Sequence, residues 1–169
     1  METVAVYQEA IIGTYGFEIL EGLFMVALKV SSAQLPFVGA AMAGLKTCGE
    51  FQAFFTQPGE EAGSVEIRFL QSSCRLPDFP LSEDGIDGEV WKIAQITGPV
   101  DLLRFHGPHF GDRFGIAAAV FLSLSTGGFS VLASGCSQSA VYLVLPGGMA
   151  GAGKRLLFRA FCEPKRGDV

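Results

Sequence analysis

Val100–His106 (VDLLRFH), a loop closing on Gly115, and then Ile116–Thr126 (IAAAVFLSLST) decide the fold, because the same order of elements stands earlier in the chain. There, Leu23–Val30 (LFMVALKV) leads through a loop ending in Gly39 to Ala40–Cys48 (AAMAGLKTC). The agreement continues downstream. Gly49-Glu50-Phe51 answers Gly127-Gly128-Phe129, and Ser64–Leu70 (SVEIRFL) answers Ser139–Leu145 (SAVYLVL). The copies stand about 75 residues apart throughout, which marks one supersecondary unit used twice.

Leu23–Val30 and Val100–Arg104 are apolar, β-prone and too short for amphipathic helices, so they read as strands covered by helices. Ala40–Cys48 and Ile116–Thr126 are rich in Ala, Leu and Met, good helix formers. Pro36 stands where a first-turn proline belongs, and Gly49 and Gly127 stand where helices commonly stop. Phe51–Phe55 and Phe129–Ala133 are the expected second strands, and Gln57–Gly63 and Ser134–Gln138 the turns into the third. Leu76–Gly88, with two prolines and four acidic side chains, reads as a surface connector, and Glu89–Thr97 resumes a strand-like pattern. Thr3–Tyr7 and Ala10–Ile12 are apolar and offer an extra strand to either sheet. A final helix is expected over Met149–Phe161, before a polar end at Glu163–Val169. The expected fold class is α+β: two ferredoxin-like βαββα units packed side by side. Residues 1–88 would form the first unit with its N-terminal strand and connector, and residues 89–169 the second.

Composition bounds the function. The chain has 169 residues, a net charge of −5 and 49% hydrophobic residues, among them 15 Phe against one Trp. A unit of about 75 residues is marginal alone, and this apolar excess calls for burial between units or between chains, so a homodimer is expected. Lys154-Arg155 and Lys165-Arg166 are isolated basic pairs without an aromatic cluster, which argues against nucleic acid. The longest uncharged apolar run, Gly115–Leu124, is half of the ~20 residues that span a bilayer, so no membrane partner is expected. Met1–Ala10 lacks a basic stretch followed by an apolar one, and Cys48, Cys74, Cys136 and Cys162 share no CxxC spacing. Reduced thiols and a cytoplasmic location are the expectation.

Gly111-Asp112-Arg113-Phe114-Gly115-Ile116-Ala117, followed by Phe129-Ser130-Val131-Leu132 and Ser134-Gly135-Cys136-Ser137-Gln138-Ser139-Ala140-Val141, resembles the ACT regulatory domain. The likeness is to the ACT pair at the C-terminal end of aspartate kinases, where a D-x-P-G-like loop enters the first helix and a G-S-S-E-like turn joins two strands. Phe114 stands in place of the loop proline and Gln138 in place of a frequent Glu. The first copy, Leu35-Pro36-Phe37-Val38-Gly39, keeps the proline without a preceding Asp. The resemblance implies a regulatory protein that binds a free amino acid, performs no chemistry, needs no cofactor and acts on a separate enzyme partner or on its own assembly.

The implied ligand set comprises Gln34, Phe37, Val38 and Gly39 in the first copy. In the second it comprises Asp112, Arg113, Phe114, Gly115, Ile116, Ser134, Cys136, Ser137 and Gln138. A glycine before a helix lets a ligand approach the backbone, and first-turn N–H groups favour a carboxylate. Gly115 and Ile116, or Val38 and Gly39, would present those donors. Asp112 or carbonyls in Ser134–Gln138 would receive the ammonium. Alternatively, Asp112 caps its helix and Gly115 only permits tight packing, leaving a dimerisation module without a ligand.

Three other features lead elsewhere. His106 and His109, beside Asp112, lack the further partners that a metal site or an acid–base pair needs, so neither a metal nor catalysis is expected. Gly148–Lys154 fits GxxxxGK before a helix, but Arg155 replaces the Ser or Thr that would hold magnesium. Nucleotide binding through that loop is thus a third reading, and a solvated Lys154 in a glycine-rich helix entry the simpler one. Cys48, Cys136 and Cys162 read as small core residues, while Cys74 beside Arg75 is the more reactive thiol.

Overall fold

The computed structural model describes residues 11–44, 51–72, 94–108 and 110–163. Thr3–Tyr7, Cys48, Cys74, the connector Leu76–Gly88, the start of Glu89–Thr97, His109 and all but the first residue of Glu163–Val169 lie outside these residues, as does the expected boundary at 88/89. The elements are β1 (Ile12–Gly13), β2 (Gly16–Ser31), a 3-10 turn (Ser32–Gln34), α1 (Leu35–Gly44), β3 (Phe51–Pro58), β4 (Ser64–Gln71) and β5 (Gln95–His106). They continue with α2 (Ile116–Ser125), β6 (Ala133–Cys136), β7 (Ala140–Pro146), α3 (Ala150–Leu157) and β8 (Phe161–Cys162).

The chain forms two compact units. An inner unit spans Gly22–Val100, and an outer unit combines Met1–Glu21 with Asp101–Val169. The chain passes between them twice, each time within a strand: at Glu21/Gly22 in β2 and at Val100/Asp101 in β5.

Within the inner unit the strand order is β3-β4-β2-β5. β2 pairs antiparallel with β4, matching Val26 to Phe69 and Leu28 to Ile67. Alternation sends Val26, Leu28 and Val30 to one face of the strand, where they meet Val38 of α1 and Ile67 and Phe69 of β4 in a single buried cluster. Within the outer unit the order is β6-β7-β5-β2, the same sequence of roles. Leu103 and Phe105 of β5, Ile116, Val120 and Leu124 of α2, Val141, Leu143 and Leu145 of β7, and Leu157 of α3 make its core. Residues 16–21 of β2 supply its fourth strand. Phe17 stacks on Phe105 at 4.7 Å, and Glu18 pairs with Arg104. β1 runs parallel to β8, Ile12 opposite Phe161, and Thr14 donates from both N and Oγ1 to the Cys162 carbonyl. This is the mixed α/β, largely antiparallel architecture that the repeat implied.

Several element boundaries differ from the sequence expectation. α1 begins at Leu35, continuing the turn at Ser32–Gln34, so Gly39 lies inside the helix rather than before it. Ser31 and Gln34 form a capping box that starts the helical run early, and Pro36 is tolerated in a first turn. The second strand of the second copy is Ala133–Cys136 instead of Phe129–Ala133. The tight turn at Ser137, whose N–H bonds the Ala140 carbonyl at 2.8 Å, sets the register Cys136↔Val141 and Ala133↔Val144. Phe129 and Val131 instead pack on the outer core. The last helix stops at Leu157, and Phe161 enters β8 with its ring buried against Phe105 at 5.0 Å.

Candidate functional site

In the outer unit, the loop between β5 and α2 meets the turn between β6 and β7. Gly107 N donates to the Ser139 carbonyl at 3.4 Å. A Cβ on Gly111 would stand 2.6 Å from Gln138 Cγ and 2.8 Å from the Gln138 carbonyl, so only glycine lets the two segments come this close. Gly115 caps α2 in the left-handed region at φ 87°, which any side chain would strain. The first bond inside the helix runs from Ala119 N to the Gly115 carbonyl at 2.9 Å. The N–H groups of Ile116, Ala117 and Ala118 therefore precede the helical ladder, and the N-cap, a glycine, has no side chain to bond them. The Ile116 side chain is buried in the core, so it offers the loop only its backbone. Asp112 and Phe114 are exposed and Arg113 is half-buried.

The residues expected around this loop are thus partly reunited. Gly111 and Gln138 touch, with Ser137 beside them in the turn. Ser134 and Cys136 lie on β6, opposite Leu143 and Val141, rather than in a turn. Partial burial of the sulfur on an otherwise exposed residue raises the Cys136 thiol above its ordinary value, so it stays protonated at neutral pH. It is an exposed free cysteine rather than the core residue expected, and so is Cys162.

The first copy is built differently. Val38 is buried in the inner core and Gly39 sits mid-helix, so neither presents first-turn donors. The helical run starts at Ser31 and is closed there. Gln34 Oε1 accepts from Ser31 N at 2.8 Å and from its hydroxyl at 3.0 Å, and Ser32 N donates to the Gly63 carbonyl at 2.8 Å. Phe37 is partly exposed on α1.

Next to this closed entry is a feature that the sequence reading missed, an open cavity of about 560 Å³ in the inner unit. Lys29, Gln34, Gln57, Glu60 and Glu66 are among its lining residues. Lys29, Glu66 and Gln57 form one cross-strand row, Glu66 lying opposite both others in register. That row was readable in principle from the alternation of β2, β3 and β4. Glu66 accepts from Gln57 at 2.6 Å and from Arg68 at 2.8 Å. Burial works against its charge, but the Arg68 and Gln57 hydrogen bonds and the Arg68 and Lys29 charges outweigh it and hold the carboxyl below its ordinary value.

The GxxxxGK segment is accounted for by packing. A Cβ on Gly153 would stand 2.9 Å from Leu145 Cδ1, so the glycine seats α3 on the sheet. The N-terminus of α3 already holds an anion: the buried Asp101 carboxylate accepts from Ala150 N at 3.2 Å. Lys154 is not solvated as expected. It pairs with Glu163 at 2.7 Å and lies over the rings of Phe17 and Phe158 at 5.3 and 5.4 Å. His106 lies against the Tyr15 ring at 5.5 Å. Among the described residues, no three His, Cys, Asp or Glu side chains converge on a metal position, and no helix is long and apolar enough to cross a membrane.

No family model matches the chain, and no curated protein matches it. Solved structures do. The regulatory subunit of aspartate kinase from Thermus flavus superposes with a TM-score of 0.67 at 14% identity, over 87% of this chain and 97% of that one. Clostridium acetobutylicum aspartate kinase gives 0.68 at 17% identity, over 92% of this chain and 36% of the enzyme. E. coli aspartokinase III in complex with lysine and aspartate gives 0.55 at 15% identity, over 89% of this chain and 34% of that one. The chain therefore has the paired ACT fold of aspartate kinase regulatory portions. The whole of a separate regulatory subunit, but only about a third of a complete kinase, corresponds to it.

Proposed function

We propose that this protein is a regulatory module that senses a free amino acid through the outer-unit loop at Gly111–Ile116. The α-carboxylate would sit on the N–H groups that open α2. The ammonium would be held by Asp112 or by carbonyls of the Ser134–Gln138 segment. The observation that carries this reading is the contact of Gly111 with Gln138, which brings the helix entry and the β6–β7 turn together. The likeness to a kinase structure crystallised with lysine and aspartate supports an amino acid as the effector class. The module would act as a cytoplasmic homodimer and pass the signal to a separate enzyme by binding its effector unequally in two packings, since equal affinity shifts nothing.

Thermal unfolding with a panel of the twenty amino acids tests this. A ligand that binds only the native state adds RT ln(1 + [L]/Kd), about 2.7 kcal/mol at a hundredfold excess, so its midpoint rises measurably. Asp112→Ala should remove most of that increment. If Asp112 only caps its helix, the substitution lowers the ligand-free midpoint and the increment survives. If no amino acid raises the midpoint at millimolar concentration, the sensor reading fails and the unliganded interaction module replaces it.

A further inference from the structure

Gln71, the last residue of β4, is 2% exposed, and its side-chain Nε2 meets no acceptor among the described residues. A buried amide donor left unpaired opposes folding, so such a group calls for a physical reason. Its place in the inner unit's sheet supplies one. Gln71 stands in a cross-strand row between Phe24 of β2 and Phe51 of β3, whose side chains carry no oxygen or nitrogen to receive it.

The pairing of β3 with β4 breaks at this same place. From Pro58↔Val65 back to Ala53↔Leu70 the two strands run in step, and then Phe51 stands opposite Gln71. Gln52 is thus the extra residue of a β-bulge. Carried one step further without the bulge, the register would set Gln52 directly opposite Gln71. Opposed residues share a face of the sheet, with Cβ atoms close enough for two carboxamides to bond. The bulge therefore displaces a side chain able to satisfy Gln71. Discouraging strand addition at an edge would explain a bulge, but not a buried donor beside it.

We propose that the start of β3 is a two-register switch. In the bulged register, the one in this structure, the Phe51 ring lies 5.2 Å from that of Phe69 and the Gln71 amide is unpaired. In the regular register Gln52 and Gln71 pair amide to amide. Phe51 then turns to the opposite face, because a one-residue slip exchanges the faces of a strand. Each register keeps one interaction and gives up the other, an aromatic contact against a buried hydrogen bond, and the two are of the same order.

The exchange is local. Ala53↔Leu70 and every pair from there to Pro58↔Val65 are common to both registers. β3 is also the edge of the order β3-β4-β2-β5, so it has no second neighbour to re-pair. What changes is the surface: Phe51, 42% exposed, and Phe54, 51% exposed, share the Phe69 face only while the bulge is present. The inner unit thereby has two packings of unequal surface, which any regulatory shift of population requires. This inference stands apart from amino acid binding in the outer unit.

15N relaxation dispersion on the full chain, with circular dichroism as the folding control, is the test. The wild type is expected to show millisecond exchange confined to residues 51–53 and to the backbone and side-chain amides of Gln71. Gln71→Leu removes the donor that the bulge leaves unpaired, so the exchange should vanish and the thermal midpoint rise by about 2–4 °C. Gln52→Ala removes the partner of the regular register, so the exchange should vanish there too. Phe51→Ala should favour the regular register, seen as a nuclear Overhauser effect between the Gln52 and Gln71 side-chain amides. A wild type without exchange at residues 51–53, or exchange that persists in Gln52→Ala, overturns the switch. So does a folded Gln71→Leu variant with a lowered midpoint, which would show the amide to be already satisfied. None of these results bears on the amino acid panel.

Discussion

The Asp101 carboxylate accepts the backbone N–H of Ala150 at 3.2 Å, placing a negative group that is only 1% exposed at the N-terminus of α3. It joins β5 to the helix that a phosphate-binding reading would need empty. Asp101→Ala leaves the Ala150 donor without its acceptor, at a cost of about 1–3 kcal/mol. Urea unfolding should show a lowered midpoint. ATP should leave the wild-type midpoint unmoved, and a nucleotide-dependent rise would restore the phosphate-loop reading.

Lys154 answers to the same helix. Its ion pair with Glu163 and its position over Phe17 and Phe158 together make Lys154→Ala destabilising by about 1 kcal/mol. Lys154→Arg should retain most of that stability. An alanine variant with unchanged midpoint would show the side chain to be solvated after all.

Gly39 and Gly115 hold corresponding places in the sequence repeat but opposite ones in the structure. Gly39 is inside α1, where a Cβ would meet nothing within 4 Å, and Gly115 is left-handed at φ 87°. Gly39→Ala is therefore expected to stabilise the chain by about 0.5–1 kcal/mol. Gly115→Ala should destabilise it by about 1–2 kcal/mol. Equal responses in thermal unfolding would mean that the two helix entries are alike.

Glu66 links the inner unit to pH. Its carboxyl lies below the ordinary value of 4.5, with the hydrogen bonds from Arg68 and Gln57 holding the charged form against burial. The folded state thus binds the proton less readily than the unfolded chain. The stabilisation is complete above 4.5 and is lost as pH falls through the depressed value. Glu66→Gln should lower the midpoint at neutral pH, and the gap to wild type should close in acid. A gap independent of pH would place the effect in packing instead of charge.

The Gly115 loop and its helix were readable because a glycine ahead of an Ala-rich apolar run marks a helix entry, whereas the turn expected over Ser134–Gln138 begins only after Cys136, with Ser134 and Cys136 on β6. The first copy misled because Gly39 aligns with Gly115 in spacing, while helix initiation is decided by a capping box at Ser31 and Gln34. The Lys29–Glu66–Gln57 row went unnoticed because it exists only once three strands are in register.

By itself the sequence determined the repeat, the order strand–helix–strand–strand in each copy and the apolar faces of β2, β5, β7 and α2. These are set by side-chain periodicity within a few turns or pleats. Only the tertiary structure decided which stretches of chain make a unit. β2 and β5 each run without a break from one unit into the other, at Glu21/Gly22 and Val100/Asp101. A strand's alternation does not change when its hydrogen-bonding neighbours do, so no local signal marks the crossing. The same reason governs Lys154, whose partner Phe17 comes from the other end of the chain and is set beside it only by the packing of the outer unit.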